Sequence, residues 1–236
     1  MTTISIIIIG DEILTGKFVD QNTPWLIKRC AELFLDINTV RIIQDQVNTI
    51  ATVIREESDK SDFVFTTGGV GPTHDDVTMK AVAKAFNMRI VQNKTFAKFI
   101  SEKVPNDNGA LLMANIPEDA ELIMDNIRYF PQVKVNNVFI FPGIPKLMQK
   151  KFNNVAHLFT GTKKFLQKVH LHCRESKIAL QLTTIQQQNK TVNIGSYPQV
   201  TESGSKVILT IESTKEKDVY KVKSQILSAF ADFVIV

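Results

Sequence analysis

Cysteine is scarce: the chain of 236 residues holds two, Cys30 and Cys173, far apart in sequence. A disulfide framework needs more than that, so both read as core or surface thiols of a reducing compartment. An excess of one charge is also missing. Lys and Arg total 28 against 24 Asp and Glu, leaving +4 with no dense basic stripe, and Lys163-Lys164 is too short to make a patch. Nucleic acid is therefore not the expected partner. No apolar run approaches the roughly 20 residues that a helix needs to cross a bilayer. The N-terminal "ISIIII" carries neither a basic region before it nor a small-residue cleavage site after it. A membrane partner and a secretory leader are thus not expected, and the expected location is the cytosol. There is no internal repeat and no low-complexity tract. No Ser-His-Asp or Cys-His arrangement stands out. His74 falls in a loop, and His170 and His172 alternate on one strand without partner ligands for a metal.

What is present is an alternation of strand and helix patterns from Met1 to about Phe159. "ISIIII" is a continuous, mostly β-branched run and "DFVFTT" a strand without polar alternation, as expected of parallel strands covered on both faces. "DINTVRII" is a further strand, "MRIV" a short one and "NNVFIFPG" the last. Between them, Thr23 as N-cap and Pro24 at the first position predict a helix with Trp25, Leu26, Cys30, Leu33 and Phe34 inward. Helices are also predicted over Val47–Ser58, Met79–Phe86, Asn93–Val104 and from Pro145 to about Leu158. Pro105–Asn137 reads as irregular, broken by Pro117 and Pro131. "GTKK" then reads as a linker, followed by strand, helix, two strands and helix. The expected architecture is α/β: residues 1–160 form a three-layer α/β/α domain on a mostly parallel sheet, and residues 161–236 a small α+β (β-α-β-β-α) domain.

The chemistry concentrates in "TTGGVGPTHDDVT", Thr66 to Thr78. Gly68, Gly69 and Gly71 at a strand end let the backbone turn sharply and offer N–H groups unscreened by Cβ atoms. A helix start just beyond favours an anion. No Lys-Ser or Lys-Thr closes the loop as in a P-loop, and the third spaced glycine of a dinucleotide fingerprint is missing. The adjacent Asp75 and Asp76 would repel a phosphate unless a cation intervenes, and hard oxygen ligands suit magnesium or manganese. Capping of the next helix accounts for one of the pair, not both. In a parallel sheet the ends of the other strands fall on the same edge, which adds Gly10, Asp11 and Glu12 after the first strand. The same rule adds Asp45 after the second and the Pro-Gly-Ile-Pro turn with Gly143 after the last.

In order and spacing, "GDEILTG…D…N", "TTGGVGPTHDDVT" and "FPGIP" resemble the molybdopterin-binding fold. The similarity is to the branch shared by competence/damage-inducible protein A and the N-terminal half of eukaryotic FAD synthase. "ESKIALQL" and "IGSYP" resemble the small second domain of that branch. The resemblance implies a pterin or nucleotide diphosphate on the glycine-loop edge, with Asp76 and Asp45 at the positions that carry catalysis. It implies metal-dependent hydrolysis of a pyrophosphate in FAD (to FMN and AMP) or ADP-ribose. Its alternatives are a regulatory binding domain without turnover, and molybdopterin adenylylation or insertion. On this reading the ligand lies against Gly10, Asp11, Glu12, Gly68, Gly69, Gly71, Thr73 and Gly143. Asp11, Asp75 and Asp76 hold magnesium, manganese or cobalt, with Glu12 as an alternative assistant. Asp45 or Asp76 activates water, and the protein is expected to be a homo-oligomer. Val70 stands where cofactor-insertion enzymes carry threonine, and the segment from Met124 to Asn137 lacks the glycine-rich stretch of the bacterial branch. Without the adenylyltransferase domain of FAD synthase, the chain is not expected to make FAD alone.

Overall fold

The computed structural model describes residues 1–124, 130–201 and 204–235, and divides into two compact units, Met1–Gly161 and Thr162–Val236. The first is built on a six-stranded sheet. In chain order its elements begin β1 (Thr3–Ile9), α1 (Asp11–Leu14), α2 (Asn22–Glu32), β2 (Asp36–Ile43), α3 (Val47–Lys60) and β3 (Phe63–Thr67). They continue α4 (Thr78–Ala85), β4 (Ile90–Gln92), α5 (Lys94–Lys103), β5 (Asn115–Pro117), β6 (Glu121–Ile123), β7 (Gln132–Val135), β8 (Val138–Phe141) and α6 (Pro145–Val155). The strand order is β2-β1-β3-β8-β7-β6; the first four are parallel, β7 pairs antiparallel with β8, and β6 antiparallel with β7. β4 and β5 pair separately.

The pleat sorts the apolar run of β1 between two cores. Ile7 and Ile9 join Val64, Val138 and Ile140 under α3, α4 and α5. Ile4, Ile6 and Ile8 join Phe65, Phe139 and Phe141 on the face covered by α2 and α6. Both faces are thus filled, which is why the run carries no polar alternation. Phe65 anchors the second core edge-on, 5.4 Å from the ring of Phe152 and 5.9 Å from that of Phe141. One polar position interrupts the pattern. The Ser5 hydroxyl donates to the buried Glu57 of α3 at 2.7 Å, and Arg41 of β2 reaches the same carboxylate at 2.6 Å. Replacing Glu57 by Gln removes the charge that both partners answer. We expect a loss of about 2 kcal/mol in urea denaturation, since hydrogen bonds to charged groups are the strong ones.

Three local expectations are corrected. Pro105–Asn137 is not irregular throughout: β5, β6 and β7 lie in it. They were hidden because runs of three or four residues have too little length for a period to show. Residues 125–129 of the segment noted for its missing glycines lie outside the described residues. The helix expected to start at Pro24 with Thr23 as its cap begins two residues earlier, at Asn22, and Asp20 accepts from the N–H groups of Asn22 and Thr23 at 2.8 and 3.1 Å. Phe34, expected inward, is exposed with φ +57 where the chain turns toward β2, and Leu35 takes the buried place.

The second unit runs β9 (Phe165–Leu171), α7 (Ala179–Gln188), β10 (Asn193–Thr201), β11 (Gly204–Ser213) and α8 (Glu216–Ala229). Its sheet is antiparallel in the order β10-β11-β9. Val169, Leu171, Leu209 and Ile211 form its core with Val219, Val222 and Ile226 of α8.

Candidate functional site

The strand order reverses between β1 and β3, and the glycine loop leaves β3 at that point. In an open parallel sheet this is where strand ends splay apart and leave a crevice. Gly68 sits at its root with φ +109, so close to β1 that a Cβ would stand 2.0 Å from the Ile9 carbonyl oxygen. Its N–H donates to the Phe141 carbonyl of β8 at 3.2 Å, and its carbonyl accepts from the Thr78 hydroxyl at 2.8 Å. The loop is therefore tied to both neighbouring strands and to the start of α4. On its far side Gly143 comes so near that a Cβ there would lie 3.3 Å from the Gly68 Cα. Buried Asn22 holds that turn, donating to the Gly143 carbonyl at 2.8 Å and to the Thr67 hydroxyl at 3.0 Å.

The expected glycines do different things. The N–H of Gly10 is committed to the Ile43 carbonyl at 3.1 Å, as that of Gly68 is to Phe141. Neither has an amide to spare for an anion; at Gly68 the missing Cβ lets the loop approach β1, and at Gly10 a Cβ would meet the Glu12 carboxylate at 2.7 Å. The N–H groups of Gly69, Val70 and Gly71 have no acceptor among the described residues and form the free stretch of the cradle.

The aspartates converge on this loop. Asp45, just past β2, accepts from the backbone N–H of Asp11 at 2.8 Å, joining the ends of β1 and β2. Its other oxygen lies 3.3 Å from where a Gly69 Cβ would be. Burial raises the pKa of its carboxyl most; the Asp11 N–H opposes this, and the charges of Asp11, Glu12 and Asp75 push it higher. Asp76 accepts from the Thr73 N–H at 2.8 Å and crowds Gly71, where a Cβ would meet its oxygen at 2.6 Å. The Thr73 hydroxyl lies 2.6 Å from Asp75 and 2.5 Å from Asp76, its single proton shared between the two carboxylates. That hydrogen bond holds the exposed Asp75 carboxyl below the ordinary range. Neither aspartate caps α4, whose N-terminus has no side-chain cap. Thr73 is thus a brace between carboxylates, and His74 points outward, almost fully exposed.

Would these residues suit a divalent cation? Among the described residues no three carboxylate, imidazole or thiolate groups stand close enough to hold an ion unaided, so Asp11, Asp75 and Asp76 do not form a closed cage. Magnesium-like ions usually need only one or two carboxylates, with water and substrate oxygens completing the shell. A raised Asp45 amid three further negative charges is the electrostatic setting that such a shared ion relieves. The donor set fits a cation that arrives with substrate.

Beneath the loop opens a cavity of about 530 Å³, bounded by Gly68, Gly69, Gly71, Asp76, Glu12 and Gly143 on its polar side. Phe96, Phe130, Val133, Ile140 and Leu147 make the apolar side. Lys151 of α6 also lines it, only 8% exposed. The sequence reading missed this lysine. The signal was available, because Met148, Lys151, Phe152 and Val155 fall at i, i+3, i+4 and i+7, and all four are buried.

Residues 5–161 match the family of probable molybdopterin binding domains, and residues 163–236 match the middle domain of FAD synthase. A protein from Archaeoglobus fulgidus is 33% identical over 193 residues, covering 82% of this chain and 84% of that one. A probable FAD synthase from Caenorhabditis elegans is 28% identical over 99% of this chain, which spans only 51% of that longer protein. Among solved structures, CinA from Thermoplasma acidophilum, a protein of unknown function, superposes with a TM-score of 0.62 at 25% identity, covering 67% of this chain and 99% of that one. No helix of the described residues is long and apolar enough to cross a membrane. The glycine loop at the switch point, the acidic strand ends around it and the match over residues 5–161 lead to one assignment: the chain belongs to the molybdopterin-binding domain family.

Proposed function

We propose that this chain hydrolyses the pyrophosphate of a dinucleotide, FAD to FMN and AMP first, with ADP-ribose the second candidate. The observation that carries the reading is the Asp45 carboxylate, its pKa raised, set against a glycine loop with free amides. A diphosphate would rest on the N–H groups of Gly69, Val70 and Gly71. At ~4 Å and an effective dielectric near 20, each bare carboxylate beside it would repel by about 4 kcal/mol per charge pair. A magnesium, manganese or cobalt ion, held by Asp11 with Asp75 or Asp76, would offset that repulsion and the charge building on the phosphoryl oxygens.

The chain's own part in the chemistry is then limited. A water oxygen attacks one phosphorus, the bridging P–O bond breaks, and its electron pair leaves with the other phosphate. Asp45 takes one water proton; the second stays on the phosphate that the attack creates. A carboxylate whose pKa is raised is a better base for this than an ordinary aspartate. The Asp11 N–H fixes its orientation.

The test is to incubate the purified chain with FAD and each of the three metals, and to follow FMN by its brighter fluorescence and AMP by chromatography. Equal release of both is expected. Tight FAD binding without release in any metal would replace the hydrolase reading with that of a regulatory binding domain.

A further inference from the structure

Lys151 is a poor choice for the stability of α6. Its ammonium donates to the Pro131 carbonyl at 2.8 Å, and among the described residues no carboxylate pairs with it. Burial alone lowers its pKa from 10.5 to about 8. A buried, unpaired charge works against folding, and methionine or leucine would fill the stripe between Met148 and Val155 without that cost. Pro131 lines the same cavity as the lysine, so the ammonium stands at its wall, and among the described residues two of its three donors have no acceptor. Around it Phe96, Phe130, Val133, Ile140 and Leu147 line the cavity with apolar surface, and Phe99 packs behind Phe130. Phe96 and Phe130 meet edge to face at 6.1 Å, and Phe99 meets Phe130 at 6.0 Å.

We propose that Lys151 is the specificity-determining residue of this cavity, donating to the oxo edge of a fused pyrimidine ring, as flavins and pterins carry. This rests on the dinucleotide reading above and goes further, since it assigns the flavin head of FAD, not the adenine, to the space beneath the glycine loop. The chemistry of the two heads differs where it matters. A flavin or pterin presents ring carbonyls, which accept; adenine accepts only through ring nitrogens, and N1 and N7 stand beside its exocyclic amine, a donor that an ammonium cannot answer. The apolar walls take the faces of the ring, and the buried Lys151 ammonium reads its edge.

The experiment measures equilibrium binding, without metal or turnover, of riboflavin, pterin and AMP to the wild type and to Lys151→Met. Riboflavin carries no phosphate, so it separates ring recognition from anion recognition. Riboflavin affinity is expected to fall by about 10- to 100-fold in the variant, the worth of a hydrogen bond from a charged donor, with AMP affinity unchanged. A melting temperature that rises in the variant excludes loss of fold as the cause. Pterin weakened in place of riboflavin keeps Lys151 as the reader of a fused pyrimidine edge but overturns the placing of the flavin head in this cavity. The proposal is overturned if neither ring compound binds the wild type, if neither is weakened by the substitution, or if AMP is weakened as much. Wild type that binds riboflavin through Lys151 yet releases no FMN from FAD defeats the hydrolase reading alone. Wild type that hydrolyses FAD while riboflavin ignores Lys151 defeats this assignment alone.

Discussion

Gly68→Ala is expected to lose about 4 kcal/mol or more of stability and all binding at the loop. Three costs combine. The backbone there has φ +109, where a side chain brings strain of roughly 1–3 kcal/mol. The new Cβ would sit 2.0 Å from the Ile9 carbonyl oxygen, and backbone of a central strand cannot step aside as a flexible side chain does. Relief requires prising the loop away from β1, which breaks the bonds from Gly68 to Phe141 and Thr78, at about 1 kcal/mol each. Against a total stability of about 5–15 kcal/mol, such a loss leaves a marginal protein. Gly16→Ala is the control. Gly16 also has positive φ, +70, but nothing lies within 4 Å of its Cβ position, so only about 1 kcal/mol should be lost. Urea midpoints that fall equally in the two variants would show that the close approach to Ile9 is not what demands glycine at 68.

How much of this was legible in the sequence depends on the kind of signal each residue carries. Ile4–Ile9 and Phe63–Thr67 announce parallel strands because burial on both faces erases alternation, and the strand-end rule then gathers Gly10, Asp45, Gly68 and Gly143 on one edge. The strand pattern therefore gathers the candidate residues on one edge. It does not say what each group does there. The amides of Gly10 and Gly68 are consumed by neighbouring strands, a matter of register that no motif encodes. Thr73, expected at the ligand, braces Asp75 and Asp76, a relation that needs the loop's folded path. β6 and β7 went unseen because their stability comes from pairing beside β8, not from local pattern. Lys151 was passed over for a different reason. A lysine in "KLMQKKF" reads as solvated, and only the helical register shows that it shares the stripe of Met148 and Phe152. The residues that break local rules, a buried lysine and a carboxylate with a raised pKa, are the ones the proposed chemistry uses.

Asp45→Asn should slow FMN release by about 10²- to 10⁴-fold, the usual worth of a positioned general base, while the protein stays folded. The amide oxygen still accepts from the Asp11 N–H, and the side chain keeps its volume beside Gly69, so geometry is preserved and only charge and basicity go. Stability should move the other way. Burial first, then the charges of Asp11, Glu12 and Asp75, raise the folded-state pKa of this carboxyl above 3.8. A raised acid holds its proton more tightly folded than unfolded. Its stabilising contribution is therefore present at low pH and is lost as pH rises through the folded pKa. At neutral pH the ionised group opposes folding, and the amide relieves it. In chelating buffer the variant should melt above wild type at pH 7, and the gap should close as pH falls toward that of the protonated carboxyl. A variant with undiminished turnover would remove Asp45 from the reaction. One that melts lower at pH 7 would make it a structural link between β1 and β2, and the carboxylate that takes the water proton would then have to be Asp76.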